Sequence, residues 1–282
     1  MRRLGVHTSI AGGAHLSLER ARELGCTTMQ IFSHNPRQWH VSRISDEEVR
    51  RFRELRGLID IEPVFIHTSY LINLASLRAD ILDKSVQLLI REMELADALG
   101  AEYVVLHTGS ASEDSEDNAR MRASDAMRIV SRYHPWNARL LLENTAGERG
   151  DISSRIRDLA ELSDAAGDAL VAGICLDTCH AFQAGYDLSN EEGLAEIVRE
   201  IELEIGFERV KLMHLNDSKR AFNARVDRHE HIGTGEIGKE GLKRIIRHPS
   251  LRDIPLILET PKKSEEDDPR NLNVVRGLLM DS

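Results

Sequence analysis

The sequence predicts an α/β protein, a single (β/α)₈ TIM barrel, and three observations lead to this fold class. Eight short apolar runs of strand type alternate with longer segments of helical period. Such crossover segments are what consecutive parallel strands require, because a tight turn cannot join them. The 282 residues also suit eight strand-helix units. We therefore expect one TIM-barrel domain over residues 1–282.

The predicted strands are nearly continuous apolar runs, as expected where a parallel sheet is covered on both faces. In chain order they are 4–7, 28–32, 63–67, 103–107, 139–143, 173–177, 210–214 and 255–259. An open doubly wound sheet is the alternative arrangement. That fold usually carries a glycine-rich phosphate loop after its first strand, and residues 10–13 do not fit the fingerprint.

Two helices between these strands are predicted most clearly. The segment 79–99 places its apolar residues on one helical stripe. The segment 151–166 begins with Asp151 and Ser153, which are candidate N-caps. No internal repeat or low-complexity linker divides the chain, which is consistent with one continuous barrel.

Composition excludes several classes of protein. No apolar run approaches the ~18 residues of a membrane-spanning helix, and the first residues lack the apolar stretch of a signal peptide. A cytoplasmic location without membrane contact is therefore expected. Cys26, Cys175 and Cys179 are too few and too widely spaced for a disulfide framework or a cysteine-based zinc site, so we expect buried thiols.

Six of the predicted strands end on a side chain that can bind a metal ion. They are His67, His107, Glu143, Asp177, His214 and Glu259, spaced 34 to 45 residues apart. The carboxyl ends of barrel strands converge on one mouth, where barrel enzymes keep their chemistry. Three carboxylates in one mouth would repel one another unless cations were bound. The spacing therefore predicts a metal site.

Three further residues extend this set. His180 lies three residues after Asp177, and Asp227 and His229 share one side of an extended segment. Mixed His, Asp and Glu ligands suit zinc, with manganese and iron as the nearest alternatives. Nine ligands exceed what one tetrahedral ion can use, so two or three ions are implied.

A single histidine at a strand end is more often structural than metal-binding, so the remaining histidines carry little weight. Two of them are worth following. His7 also ends a predicted strand and can line the mouth, and His231 could compete with His229 as a ligand because it lies two residues further on.

The motifs around these residues resemble endonuclease IV, the zinc-dependent apurinic/apyrimidinic (AP) endonucleases of family 2. The matching stretches include Asn35-Pro36-Arg37-Gln38-Trp39, His67-Thr68-Ser69-Tyr70-Leu71, Leu106-His107-Thr108-Gly109, Leu142-Glu143-Asn144-Thr145, Asp177-Thr178-Cys179-His180, His214-Leu215-Asn216-Asp217, Asp227-Arg228-His229 and Leu258-Glu259-Thr260-Pro261. They span nearly the whole chain. Thr108 departs from the family pattern, which often has proline at this position. The difference affects the stiffness of the loop more than the binding of metal.

The resemblance implies three zinc ions, with Mn²⁺ or Fe²⁺ possible at some positions. His67, His107 and Glu143 would hold the first ion. Glu143 would also bridge to a second ion, which Asp177, His214 and Glu259 complete, and His180, Asp227 and His229 would hold the third. Glu143 is the expected catalytic residue, since it would position the attacking hydroxide.

The same resemblance implies cleavage of the phosphodiester on the 5′ side of an abasic site, giving a 3′-hydroxyl and a 5′-deoxyribose phosphate. Trimming of blocked 3′ ends is also expected. The partner would be double-stranded DNA containing abasic sites, and the enzyme a monomer. Arg37, Tyr70 and Leu71 would contact DNA at the lesion, and Arg228 is a further expected DNA contact.

The formal net charge of −10 argues against a nucleic-acid partner unless charge is clustered. The loops at 33–43, 68–78 and 215–230, which follow predicted strands, carry arginines and aromatic residues, so the expected mouth is locally basic. A metal-dependent sugar isomerase or epimerase is one alternative, although a small sugar needs no such loops. A non-catalytic DNA-damage binding protein with structural zinc is the other alternative.

Overall fold

The structure is a computed structural model that describes residues 2–41 and 43–280. Its main strands are β1 Leu4–Val6, β2 Met29–Phe32, β3 Val64–His67, β4 Tyr103–Leu106, β5 Arg139–Glu143, β6 Val171–Asp177, β7 Val210–His214 and β10 Leu256–Leu258. These eight parallel strands form one sheet in the order β1-β10-β7-β6-β5-β4-β3-β2. A short antiparallel pair, β8 Asp217–Ser218 and β9 His229–Glu230, lies in the connection after β7.

Helices follow the parallel strands along the chain. They are α1 Ala14–Glu23, α2 Asp46–Arg56, α3 Ala79–Leu99, α4 Glu116–Tyr133, α5 Ile156–Ala166, α6 Thr178–Gln183, α7 Glu191–Glu204, α8 Gly238–Arg247 and α9 Asp267–Met280. Within residues 2–41 and 43–280, no helix is long and apolar enough to cross a membrane.

The sheet closes between its first two strands. His7 pairs with Gln30 in a parallel bridge, and the backbone N–H of Thr8 donates to the carbonyl oxygen of Gln30 at 2.8 Å. The eight strands therefore form a nearly closed barrel with helices outside, which confirms the predicted TIM barrel. All eight predicted strands are present, and β6 begins two residues earlier than predicted.

Helix α3 has the predicted bounds, but the predicted start of α5 was wrong. The helix begins at Ile156, five residues after Asp151. The Asp151 carboxylate instead accepts the backbone N–H of Glu148, and Ser153 Oγ accepts the hydroxyl of Thr108. Both candidate caps thus stabilise the loop before the helix.

Alternate residues of each strand point into the barrel or toward the helices. The interior is filled by Phe65, Val105, Leu141, Ala172, Cys175, Leu212 and Ile257. Because this core closes the centre, ligands can approach only the ends of the barrel. The site is therefore expected at the carboxyl ends of the strands.

Candidate metal centre

The barrel geometry brings all six predicted strand-end residues to one mouth. His67, Glu143, Asp177 and His214 are the last residues of their strands, and His107 and Glu259 directly follow β4 and β10. The side chains of Glu143, Asp177 and His214 are fully buried. Buried charge of this density requires compensating partners, because burial removes the hydration of each carboxylate.

Glu143 lies at the centre of the cluster. One carboxylate oxygen, Oε2, is 3.2 Å from Nε2 of His67 and 3.0 Å from Nε2 of His107. The other oxygen, Oε1, is 3.0 Å from Nδ1 of His214. The two oxygens therefore face two different sets of ring nitrogens, as a bridging carboxylate would.

The oxygen Oε1 belongs to a second group of four residues. The group comprises Glu143, Asp177, His214 and Glu259, and their candidate ligand atoms all lie within 4.8 Å of one another. His214 Nδ1 is 3.2 Å from Oε2 of Glu259 and 3.9 Å from Oδ2 of Asp177. This group could hold one ion and shares Glu143 with the group of His67 and His107.

A third group contains His180, Asp227 and His229. Asp177 caps helix α6 by accepting the backbone N–H of His180 at 2.7 Å, which directs the first turn of the helix toward the mouth. The β8–β9 pair brings His229 to the same place. Nε2 of each histidine is 3.3 Å from Oδ1 of Asp227.

Four of the histidines direct one ring nitrogen to a carbonyl oxygen. The pairs are His67 Nδ1 with the Thr68 backbone at 2.8 Å, His180 Nδ1 with the Asn144 backbone at 2.9 Å, His229 Nδ1 with the Glu259 backbone at 2.9 Å and His214 Nε2 with the Gln30 side chain at 2.8 Å. A carbonyl accepts only from an N–H, so in the neutral ring the other nitrogen keeps its lone pair. Metal-binding histidines are held in this way.

Among the described residues, two of the remaining ring nitrogens have only carboxylate oxygens close to them. Nε2 of His180 and Nε2 of His229 are buried and make no hydrogen bond within the described part of the chain. Buried ring nitrogens that make no hydrogen bond are unfavourable in a folded protein. Their position beside the Asp227 carboxylate fits a cation between them.

Residues of the cluster also shift one another's pKa values. Burial by itself would raise the pKa of Glu143, but the imidazoles of His214 and His107 hold that pKa well below its ordinary value. Burial likewise lowers the pKa of His180, but the carboxylates of Asp177 and Asp227 raise it well above the ordinary value. Without metal, a proton on His180 therefore offsets part of the carboxylate charge.

A cavity of about 1450 Å³ opens above the three groups. Arg37, Tyr70 and Arg228 are among its lining residues, together with ligands of all three groups. The side chain of Tyr70 is exposed, and its ring lies 5.3 Å from that of Phe32. Leu71 is half-buried and is not among the residues that line this cavity.

Comparison with known proteins agrees with this geometry. A family model described as a xylose isomerase-like TIM barrel matches residues 18–279. A probable endonuclease 4 from Halothermothrix orenii is 41% identical over 275 residues, which cover 97% of this chain and 99% of the relative. The crystal structure of endonuclease IV from Thermus thermophilus matches with a TM-score of 0.87 and 40% identity, covering 99% of this chain and 100% of that one. The chain belongs to the endonuclease IV family.

The protein is therefore an enzyme, a nuclease of the endonuclease IV type, as its motifs predicted. Sugar epimerases share the barrel more distantly. A D-tagatose 3-epimerase-like protein matches with a TM-score of 0.72 at 22% identity, covering 98% of this chain and 97% of that one. That likeness shows the fold alone.

The endonuclease also contains site residues that the sequence pattern did not single out. Gln30 is fully buried in β2, and its amide N–H donates to Oε1 of Glu259 at 2.7 Å. Asn216 donates to Oδ2 of Asp177 at 2.6 Å and accepts the backbone N–H of Glu259. Both side chains orient carboxylates of the second group.

His7 and His231, the two other histidines considered above, lie in different places. His7 lines the cavity, and its Nδ1 is 3.4 Å from Oε1 of Glu259. His231 faces away from the mouth, with Nδ1 beside Asn271 and Nε2 beside Arg270. His231 is therefore no competitor of His229.

The three cysteines are buried and free, as predicted. Cys175 and Cys179 lie close enough to the carboxylates to count geometrically as possible ligands. Burial raises the pKa of each thiol to about 12, which keeps it protonated at neutral pH. Because thiolate is the form that binds metal, these cysteines are poor ligands here.

Proposed function

We propose that this nuclease is a zinc-dependent AP endonuclease of DNA base excision repair. It would hydrolyse the phosphodiester 5′ to an abasic site and leave a 3′-hydroxyl and a 5′-deoxyribose phosphate. The observation that carries the proposal is the set of four anchored imidazoles. The other nitrogen of each ring faces a shared carboxylate, either Glu143 or Asp227. That arrangement suits a polynuclear metal centre, and such centres are widely used for phosphodiester cleavage.

Three ions are proposed, one for each group described above. His67, His107 and Glu143 hold the first, Glu143 with Asp177, His214 and Glu259 the second, and His180, Asp227 and His229 the third. The donor set of imidazoles and carboxylates favours zinc, and Mn²⁺ or Fe²⁺ can replace it at some positions. When bound, such ions lower the pKa of water toward ~7 and offset the charge that develops on phosphate oxygens.

The chain's own contribution centres on Glu143. Its low pKa keeps the carboxylate ionised at neutral pH, so it accepts hydrogen bonds and donates none. We propose that this carboxylate orients the attacking water beside the scissile phosphate. Asp177 and His214, which belong to the same group, are also fully buried, and this restricts where that water can sit.

Recognition of DNA is assigned to side chains around the cavity. Arg37 and Arg228 are exposed and can pair with backbone phosphates, which fix the register of a duplex. Tyr70 is 65% exposed and presents an aromatic ring at the mouth, where it can stack in the space left by a missing base. We propose that Leu71, in the same loop, assists this recognition of DNA.

The test is cleavage of a duplex with one abasic site, with each strand end labelled separately. We expect one cut on the 5′ side of the lesion and a 3′ end that a polymerase extends without further processing. Chelation should abolish the reaction and added Zn²⁺ should restore it. A cut on the 3′ side, or activity that survives complete metal removal, would contradict the proposal.

Removal of blocked 3′ ends is proposed as a second activity, because it breaks the same kind of bond with the lesion at a strand terminus. It is tested with a 3′-phosphoglycolate end in the same assay. A monomeric state and a cytoplasmic location stay predictions, as does a single domain over the whole chain.

A further inference from the structure

One buried carboxylate outside the metal centre has an unusual position. Glu92 lies on α3 and is fully buried. It does not line the cavity, and none of the candidate ligand groups includes it. Burial raises the pKa of this carboxyl to about 8. A carboxyl group buried in this way is costly unless its hydrogen bonds are satisfied, so its partners indicate what it does.

The partners of Glu92 come from two separate loops. The backbone N–H of Ser69, in the loop after β3, donates to Oε1 at 3.0 Å. The hydroxyl of Ser33, in the loop after β2, donates to the same oxygen at 3.1 Å, and Nδ1 of His34 is 3.4 Å away. One carboxylate therefore joins both loops to the rigid helix behind them.

Further contacts extend this junction toward the mouth. Ser69 Oγ donates to the carbonyl oxygen of Pro36 at 2.8 Å, so the two loops also bond directly. Ser69 Oγ in turn accepts the backbone N–H of Leu71 at 3.2 Å. In the other loop, His34 Nε2 lies 2.9 Å from the carbonyl oxygen of Gln38. The backbone on both sides of the cavity is thus held by one connected network.

These loops carry Arg37 and Tyr70, the residues assigned above to DNA recognition. We propose that Glu92 is a positioning residue that fixes the two recognition loops relative to each other before DNA binds. The inference rests on the proposed function, because it gives the fixed loops a DNA substrate. Preorganised loops bind more tightly, since less conformational freedom is lost on association.

The experiment compares Glu92→Gln with Glu94→Gln, a partly exposed position of the same helix that pairs with Arg91. The Glu92→Gln side chain keeps its size but replaces one acceptor oxygen with a donor amide. We expect KM for abasic duplex to rise about tenfold, because the amide nitrogen that replaces Oε2 would face the Ser69 N–H, itself a donor 3.4 Å from that oxygen, and a buried donor without an acceptor is costly. The kcat value and the zinc content should stay unchanged, and Glu94→Gln should behave as wild type.

A double variant separates positioning from general destabilisation. If Glu92 acts through the loops, the double variant Glu92→Gln/Arg37→Ala should weaken binding by much less than the product of the factors measured for the two single variants. Fully multiplicative effects, or a fall in kcat with KM unchanged, would overturn the inference.

Hydrogen exchange provides a readout that does not depend on DNA. Amides at 33–38 and 68–71 should exchange faster in Glu92→Gln than in Glu94→Gln, in both loops together. Unchanged exchange in either loop would overturn the coupling. If the wild-type protein fails to bind abasic duplex while exchange rises in both loops, the DNA function has failed and the mechanical coupling stands.

Discussion

The imidazole Nε2 of His214 lies 2.8 Å from Oε1 of Gln30, on the opposite side of the ring from Glu143. The Gln30 amide nitrogen is at the same time 2.7 Å from Glu259. One neutral side chain therefore selects the tautomer of one candidate ligand and the orientation of another. Residues in this position usually matter to metal affinity even though they never touch the ion.

We predict that Gln30→Met weakens zinc binding at the second group by about 10- to 100-fold, the usual effect of losing such a support. The methionine side chain fills a similar volume but offers no equivalent donor or acceptor. Competition with a chromophoric chelator measures the affinity. Gln87→Met, at an exposed position of α3, is the control. Wild-type affinity in Gln30→Met would show that His214 needs no such support.

The strand ends could be predicted from sequence because two signals coincided there. An apolar run marked each strand, and a polar metal-binding residue such as His67 or Asp177 marked its end. The barrel then dictated that those ends meet. No comparable signal marked Gln30, because an amide inside a strand has many structural roles.

Residues that depend on long-range packing were beyond the sequence pattern. Gln30 reaches Glu259 only because the sheet closes, which joins positions 229 residues apart. Glu92 has the spacing of an ordinary helix charge, and its burial becomes visible only when the loops after β2 and β3 fold over α3. Asp151 also fitted the pattern of a helix N-cap. Its carboxylate instead accepts the backbone N–H of Glu148, three residues earlier.

We predict that His107→Ala abolishes nicking of an abasic duplex. His107 Nε2 is 3.0 Å from Glu143, yet its side chain is 32% exposed, so truncation should leave no large internal cavity. Loss of a metal ligand removes several kcal/mol of transition-state stabilisation, which corresponds to at least about a thousandfold in rate. Circular dichroism should show an unchanged fold. His134→Ala, at an exposed position after α4, is the matched control. Full activity in His107→Ala would refute the assignment of this ligand.

Arg37→Ala should weaken binding to abasic duplex while leaving the zinc content unchanged. Arg37 is exposed at the cavity, and its backbone N–H donates to Asn35 Oδ1 at 3.1 Å, so the loop should keep its shape. Loss of one phosphate contact should reduce the slope of log K against log salt by about one. Arg50→Ala, on the exposed side of α2, should leave the slope unchanged. Loss of zinc in Arg37→Ala would mean that the loop supports the metal centre instead.

Zinc binding to the metal-free enzyme should release protons at pH 7. Burial lowers the pKa of His180 and His214, but neighbouring acidic groups, including Asp177 for His180 and Glu259 for His214, raise both well above the ordinary value. The folded metal-free protein therefore keeps these protons at pH values where a free histidine, with a pKa of about 6.5, has lost them. A metal ion must displace them, so zinc affinity should fall as the pH decreases through neutrality. Titration calorimetry in buffers of different ionisation enthalpy counts the released protons. His180→Ala should reduce that number, His134→Ala should leave it unchanged, and a binding enthalpy independent of buffer would contradict the prediction.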